Sequence, residues 1–106
     1  MIVINRFRVE ATGADGFREG LQEALDVLGE QAGFLDGRIG RNVDAPELWL
    51  LQTRWAGPGA YRRALSAYEV KMRAWALLGQ AIDEPSAYEV VEPGQPLNEP
   101  APRQNR

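Results

Sequence analysis

The run Leu48–Arg73, LWLLQTRWAGPGAYRRALSAYEVKMR, decides how this chain folds. LWLL is apolar on both faces, and Gln52, Thr53, Arg54 and Trp55 then alternate, as befits a strand inside a sheet. Gly57-Pro58-Gly59 turns the chain sharply. Pro58 suits the first turn of a helix, because its ring presets φ and its missing N–H would have no intrahelical partner. Tyr61, Leu65, Tyr68, Met72, Trp75 and Leu78 follow at helical spacing. One helix, or two short ones broken near Ala67, would present them as an apolar stripe packed into the core. The strand–turn–helix join is expected to bring Trp55 and Tyr61 close together where a sheet edge meets a helix.

Working outward, Met1–Val9 alternates. Val3, Asn5, Phe7 and Val9 share one face, and Ile2, Ile4, Arg6 and Arg8 share the other, which fits a strand. Ala11–Gly16 reads as a turn with Asp15 as a capping candidate. Phe17–Ala32 reads as an amphipathic helix, with Gly33 as its stop. Phe34–Arg41 is a second strand, weakened by Gly37 and Gly40, and Asn42–Pro46 is a turn. Asp83–Ser86 breaks the chain before a short last strand, Ala87–Val91. The segment 92–106 holds four prolines in fifteen residues and almost no apolar content. It reads as a disordered tail or as an arm that orders on a partner.

The order is β-α-β-β-α-β over residues 1–91. It predicts an α+β, ferredoxin-like domain: a four-stranded antiparallel sheet with both helices on one face. Ile2, Ile4 and Leu48–Leu51 leave the far face apolar, and a second copy in a homodimer is the simplest cover.

Composition narrows the chemistry. The chain has 106 residues, a net charge of −3, no cysteine and no histidine. A weakly acidic chain without a basic block is a poor partner for nucleic acid or an anionic membrane. No run approaches the ~20 apolar residues of a membrane span, and a cytoplasmic protein is the expectation. Disulfides and thiolate metal sites are excluded, and so are imidazole-ligated zinc and histidine-ligated haem. Neither a metal nor a cofactor is expected. Acid–base chemistry would fall to a carboxylate, tyrosine, lysine or arginine in a perturbed environment. Glu69 and Glu89 are the conceivable carboxylate bases, and Arg62 and Arg63 read as a solvated face.

The element order, the Gly33-Phe34 start of the second strand, the strand ending on Trp55 and the aromatic helix after it resemble the antibiotic biosynthesis monooxygenase family. That resemblance implies a dimeric α+β barrel over roughly residues 1–91. Cofactor-independent monooxygenases of aromatic polyketides place a tryptophan at the end of this strand and a tyrosine six residues later, which Trp55 and Tyr61 match. Arg73 is the nearest match to their arginine, across a gap. Their asparagine falls at Leu51 and is missing here, as is their histidine. The haem-degrading branch uses an asparagine on the first strand, matched by Asn5. Its tryptophan and histidine fall near Ala64 and Arg73, which argues against ordinary haem degradation.

The resemblance therefore implies a small cofactor-independent monooxygenase acting on an aromatic or quinol-like small molecule. Asn5, Tyr61 and Arg73 are its candidate catalytic residues, and Trp55, Tyr68, Met72 and Trp75 its candidate substrate-binding residues. The alternative is a non-catalytic small-ligand-binding or stress-related dimer of the same fold, with haem binding a more distant variant.

Overall fold

Strands β1 (Ile2–Arg8) and β3 (Leu48–Trp55) lie at the centre of one antiparallel sheet. The structure, a computed structural model, describes residues 1–98. β2 (Phe34–Arg41) pairs with the outer edge of β3, and β4 (Ala87–Tyr88) pairs with β1, giving the order β2-β3-β1-β4. Helix α1 (Ala14–Gly29) follows a short 3-10 turn at Ala11–Gly13. α2 (Pro58–Ser66), α3 (Tyr68–Arg73) and α4 (Trp75–Leu78) together fill the place of the second helix. This is the ferredoxin-like α+β arrangement that the residue pattern predicts.

Alternation sorts the two central strands. Val3 and Phe7 of β1, with Trp49, Leu51, Thr53 and Trp55 of β3, are buried beneath the helices. Cross-strand pairing sets Val3 against Thr53, Asn5 against Leu51, and Phe7 against Trp49. α1 lays Leu21, Ala24, Val27 and Leu28 onto this face at three- and four-residue spacing. The opposite face carries half-buried Ile2, Ile4, Leu48 and Leu50 among polar residues. Two guanidinium forks decorate that face: Arg54 on Asp36 at 2.7–3.0 Å and Arg6 on Glu84 at 2.7 Å.

Several boundaries differ from expectation. α1 begins at Ala14 behind Gly13, which offers no side-chain cap, so Asp15 is not the cap. Asp15 instead lies in the first turn and pairs with Arg18 at 3.2 Å. The helix ends at Gly29 rather than Ala32, and the Gln31 amide donates to the Val27 carbonyl at 3.0 Å beyond its end. Gly33 follows at φ +90°, and a Cβ there would overlap the Ala60 methyl. Glycine thus serves both the turn and the close approach of α2. β4 covers only Ala87–Tyr88 rather than Ala87–Val91. Residues 89–98 are exposed, and the rest of the proline-rich tail lies outside the described residues.

The largest difference concerns the stripe. Ala67 adopts an extended ψ of 140° and Ala74 a φ of −130°, so the run is three short helices. A 3.6-residue period persists only within one unbroken helix, and each break resets the phase. The inward positions become Ala60, Ala64, Val70 and Ala74. Tyr68, Met72 and Trp75 face outward at 69%, 66% and 50% exposure, so the expectation that they pack as core fails.

Candidate functional site

The helix-facing side of the sheet ends in two aromatic clusters. At one end Trp55 stands between Phe34 and Tyr61, with ring centroids 5.3 and 5.4 Å apart. Strand alternation points Trp55 inward, and the Gly57-Pro58 turn returns the chain so that Tyr61 comes against it. Trp55 is fully buried, and its indole N–H donates to the Thr53 hydroxyl at 2.8 Å. Tyr61 is half-buried, and burial pushes its phenol above the ordinary value of 10. The phenol therefore stays protonated, and a donor, through the neutral range. A cleft of about 450 Å³ lies beside the β3–α2 turn, lined by Met1, Gly57, Pro58, Arg62 and Tyr88. Neither Trp55 nor Tyr61 lines it.

At the other end Phe17 of α1 packs on Phe7 at 5.1 Å and edge-on against Trp49 at 5.6 Å. The Arg41 guanidinium lies 5.2 Å from the Trp49 ring centroid. Trp49 is only 5% exposed. Its Nε1 is the one buried side-chain polar atom without a hydrogen-bond partner among the described residues. Such an orphan costs about 1–3 kcal/mol relative to a satisfied one. The alternation Trp49, Leu51, Thr53, Trp55 carried enough information to place Trp49 on this face. Its missing partner is visible only in three dimensions.

Asn5 sits between the clusters, on the same face and half-buried. Its side-chain amide makes no hydrogen bond among the described residues, and neither does the Tyr61 hydroxyl. Asn5 lies opposite Leu51, one diagonal step from Trp49, a spacing of roughly 7–8 Å. Trp55 is four residues further along β3, about 13 Å at strand rise. Of the two clusters, Asn5 therefore adjoins that of Trp49.

The remaining sequence candidates fall elsewhere. Arg73 is clamped by carboxylates, 2.8 Å from Glu23 on α1, 3.4 Å from Glu30 just past the end of α1, and 3.8 Å from Glu69. The hydrogen bond to Glu23 raises the guanidinium pKa and lowers that of Glu23. This arginine ties α3 to α1 on the helical surface. Trp75 donates its indole N–H to the Leu65 carbonyl at 2.9 Å and carries the Lys71 ammonium 5.2 Å from its ring centroid. Glu69 and Glu89 are exposed, and Arg62 and Arg63 are solvated.

Among the described residues no group of three or more Asp or Glu side chains is placed to hold a metal ion. No helix there is long and apolar enough to cross a membrane.

Comparison with known proteins places this geometry in context. No curated protein matches in sequence. SnoaB from Streptomyces nogalater, a cofactor-independent oxygenase, has a similar structure, with a TM-score of 0.67 and 24% identity over 92% of this chain and 96% of that one. Rv0793 from Mycobacterium tuberculosis has a TM-score of 0.64 and 19% identity over 94% and 97%. A conserved protein from Methanosarcina mazei Go1 has a TM-score of 0.66 and 15% identity over 81% and 84%. At these identities the likeness concerns the fold. The family model for antibiotic biosynthesis monooxygenase matches residues 1–72. With that match and this fold, the chain belongs to the antibiotic biosynthesis monooxygenase family.

Proposed function

We propose that this chain is a small cofactor-independent monooxygenase that acts on an aromatic or quinol-like small molecule, as a homodimer in the cytoplasm. The observation that carries this reading is Asn5, a half-buried amide without a hydrogen-bond partner among the described residues, on a sheet face bounded by two aromatic clusters. Flat rings suit a flat ligand, and a free amide suits its oxygen.

An anthrone-type substrate illustrates the chemistry. Its carbon acid loses a proton, and the carbanion passes one electron to dioxygen. The carbon radical and superoxide combine, and the peroxide takes up a proton and loses water. One oxygen atom ends as the new carbonyl and the other as water. The pocket would supply a dry environment, and Asn5 and Tyr61 would supply donors to the developing oxyanion. A substrate of low pKa eases the lack of histidine. Arg73, engaged by three carboxylates, has no part in this scheme.

The half-buried Ile2, Ile4, Leu48 and Leu50 support burial of the outer sheet face against a second copy. Sedimentation should report a dimer, and Leu50→Glu should shift it toward monomer.

Oxygen uptake with anthrone- or dihydroxynaphthalene-like substrates tests the activity. Loss of one oxyanion donor costs about 10²–10³ in rate elsewhere, so Asn5→Ala and Tyr61→Phe should fall well below wild type. Equal rates in wild type, variants and buffer would defeat the proposal. The captive Arg73 and the absence of histidine favour a second reading, a non-catalytic small-ligand-binding dimer of the same fold. A ligand retained through purification without turnover would select it. Haem is disfavoured by a buried Ala64 and by Arg73 where the family's haem branch has its ligand, and a haem titration should give no Soret shift.

A further inference from the structure

We propose that the Trp49 indole N–H is a ligand-binding donor at the floor of a site entered past Phe17, and that its acceptor is a carbonyl or phenolate oxygen on a flat aromatic ligand. The inference rests on the reading that this chain binds such a ligand, and it assigns the point of attachment. Buried indoles normally find an acceptor. Trp55 has Thr53 and Trp75 has the Leu65 carbonyl, while Trp49 has none among the described residues. Phe17 meets the Trp49 ring edge-on and the Arg41 guanidinium lies 5.2 Å from its centroid, and neither supplies an acceptor for the N–H.

Trp49 lines one cleft of about 380 Å³ with Arg41, Asn42 and Leu48, and a second cleft lies behind Phe17 and is separated from Trp49 by that ring. The second cleft, of about 480 Å³ and within the usual range for ligand pockets of ~300–1,000 Å³, is lined by Arg8, Glu10, Gly13, Gly16, Phe17 and Leu77. Phe17 is at once a wall of this cleft and the ring that rests on Trp49. It belongs to the first turn of α1, which begins behind Gly13 with no side-chain cap and contains Gly16. That turn is held by fewer local bonds than a capped one, so a swing of Phe17 is among the cheaper motions available. Displacing the ring would open the cleft onto Trp49, with Asn5 one diagonal step away on β1 as a second polar group.

The test is a titration of full-length protein, labelled with ¹⁵N at its indoles and amides, with 2-hydroxy-1,4-naphthoquinone. The three indole resonances are assigned from Trp→Phe variants. The expected result is a saturable downfield shift of the Trp49 indole proton, with the Trp55 and Trp75 indoles little changed. Trp49→Phe should weaken binding by about tenfold, as loss of one hydrogen bond does. If that variant does not fold, the wild-type shift decides alone. A saturable response confined to amides around Phe34 and Tyr61 would overturn this inference and leave the ligand-binding reading intact. No response at any resonance would overturn both. An indole–water contact at Trp49 that persists in the saturated complex would also overturn it, by assigning the N–H to a structural water.

Discussion

The Phe34–Trp55–Tyr61 and Phe7–Phe17–Trp49 clusters occupy opposite ends of one sheet face, yet they are completed differently. At the first end the indole is satisfied two residues away by Thr53, and the chain closes over it through a glycine–proline turn. At the second end the indole is buried without an acceptor among the described residues, under a helix start that lacks a side-chain cap. At the first end the indole is already engaged, so only the Tyr61 hydroxyl is left to offer a ligand a donor. An unsatisfied indole holds an unused donor at a standing cost in stability. The unused indole donor thus lies away from the Trp55–Tyr61 pair, to which the family likeness points, at Trp49 beside Asn5.

Substitutions can break this contrast. The largest expected effect is Trp55→Ala, which removes a fully buried ring and should cost about 3–5 kcal/mol in urea-derived stability. Thr53→Val should cost about 1–3 kcal/mol, since it strands the Trp55 N–H. Because Trp49 has no partner to strand among the described residues, Trp49→Phe should be less destabilising than Trp55→Phe when denaturation midpoints are compared. An equal loss in the two variants would remove the distinction drawn between the clusters.

A pH series sharpens it further. The Tyr61 phenol is raised by burial, so the unfolded chain ionises first. Its contribution to stability is complete below the ordinary tyrosine value and drains away as pH climbs from there through the raised native one. Tyr61→Phe should flatten that alkaline decline. The carboxylates behave oppositely. Glu23, Asp36 and Glu84 are lowered by Arg73, Arg54 and Arg6. Their contribution is complete above the ordinary carboxylate range and is lost as pH falls through their native values. Arg73→Met should weaken the acid-side dependence and leave the alkaline limb alone. The smallest effect is expected at Met72→Gln, within about 0.5 kcal/mol of wild type, because an outward side chain away from both clusters contributes little.

The strand pattern was the most legible part of the molecule. Alternation in Ile2–Arg8 and Leu48–Trp55 is strictly local, so it reveals which side chains share a face without knowledge of the neighbours. It correctly brought Trp55 and Tyr61 together, since the turn between them is short. The helical stripe misled: a break near Ala67 was among the alternatives, but the second break at Ala74 and the change of phase that turns Tyr68, Met72 and Trp75 outward had no local signal. Arg73 was legible only as the nearest match to the family's arginine. Its capture by Glu23 and Glu30, 50 and 43 residues away, depends on how α1 and α3 dock.

The amino-acid sequence by itself determined the element order, the faces of the central strands and the exclusion of histidine and cysteine chemistry. Those properties follow from residue type and local period. Only the tertiary structure decided which indole has an acceptor, which arginine is already engaged, and which aromatic residues face water. Each of those depends on a partner distant in sequence or on the phase of a broken helix. The Trp55–Tyr61 spacing marked the family, while the unpaired Trp49 N–H emerged only once α1 was laid across the sheet.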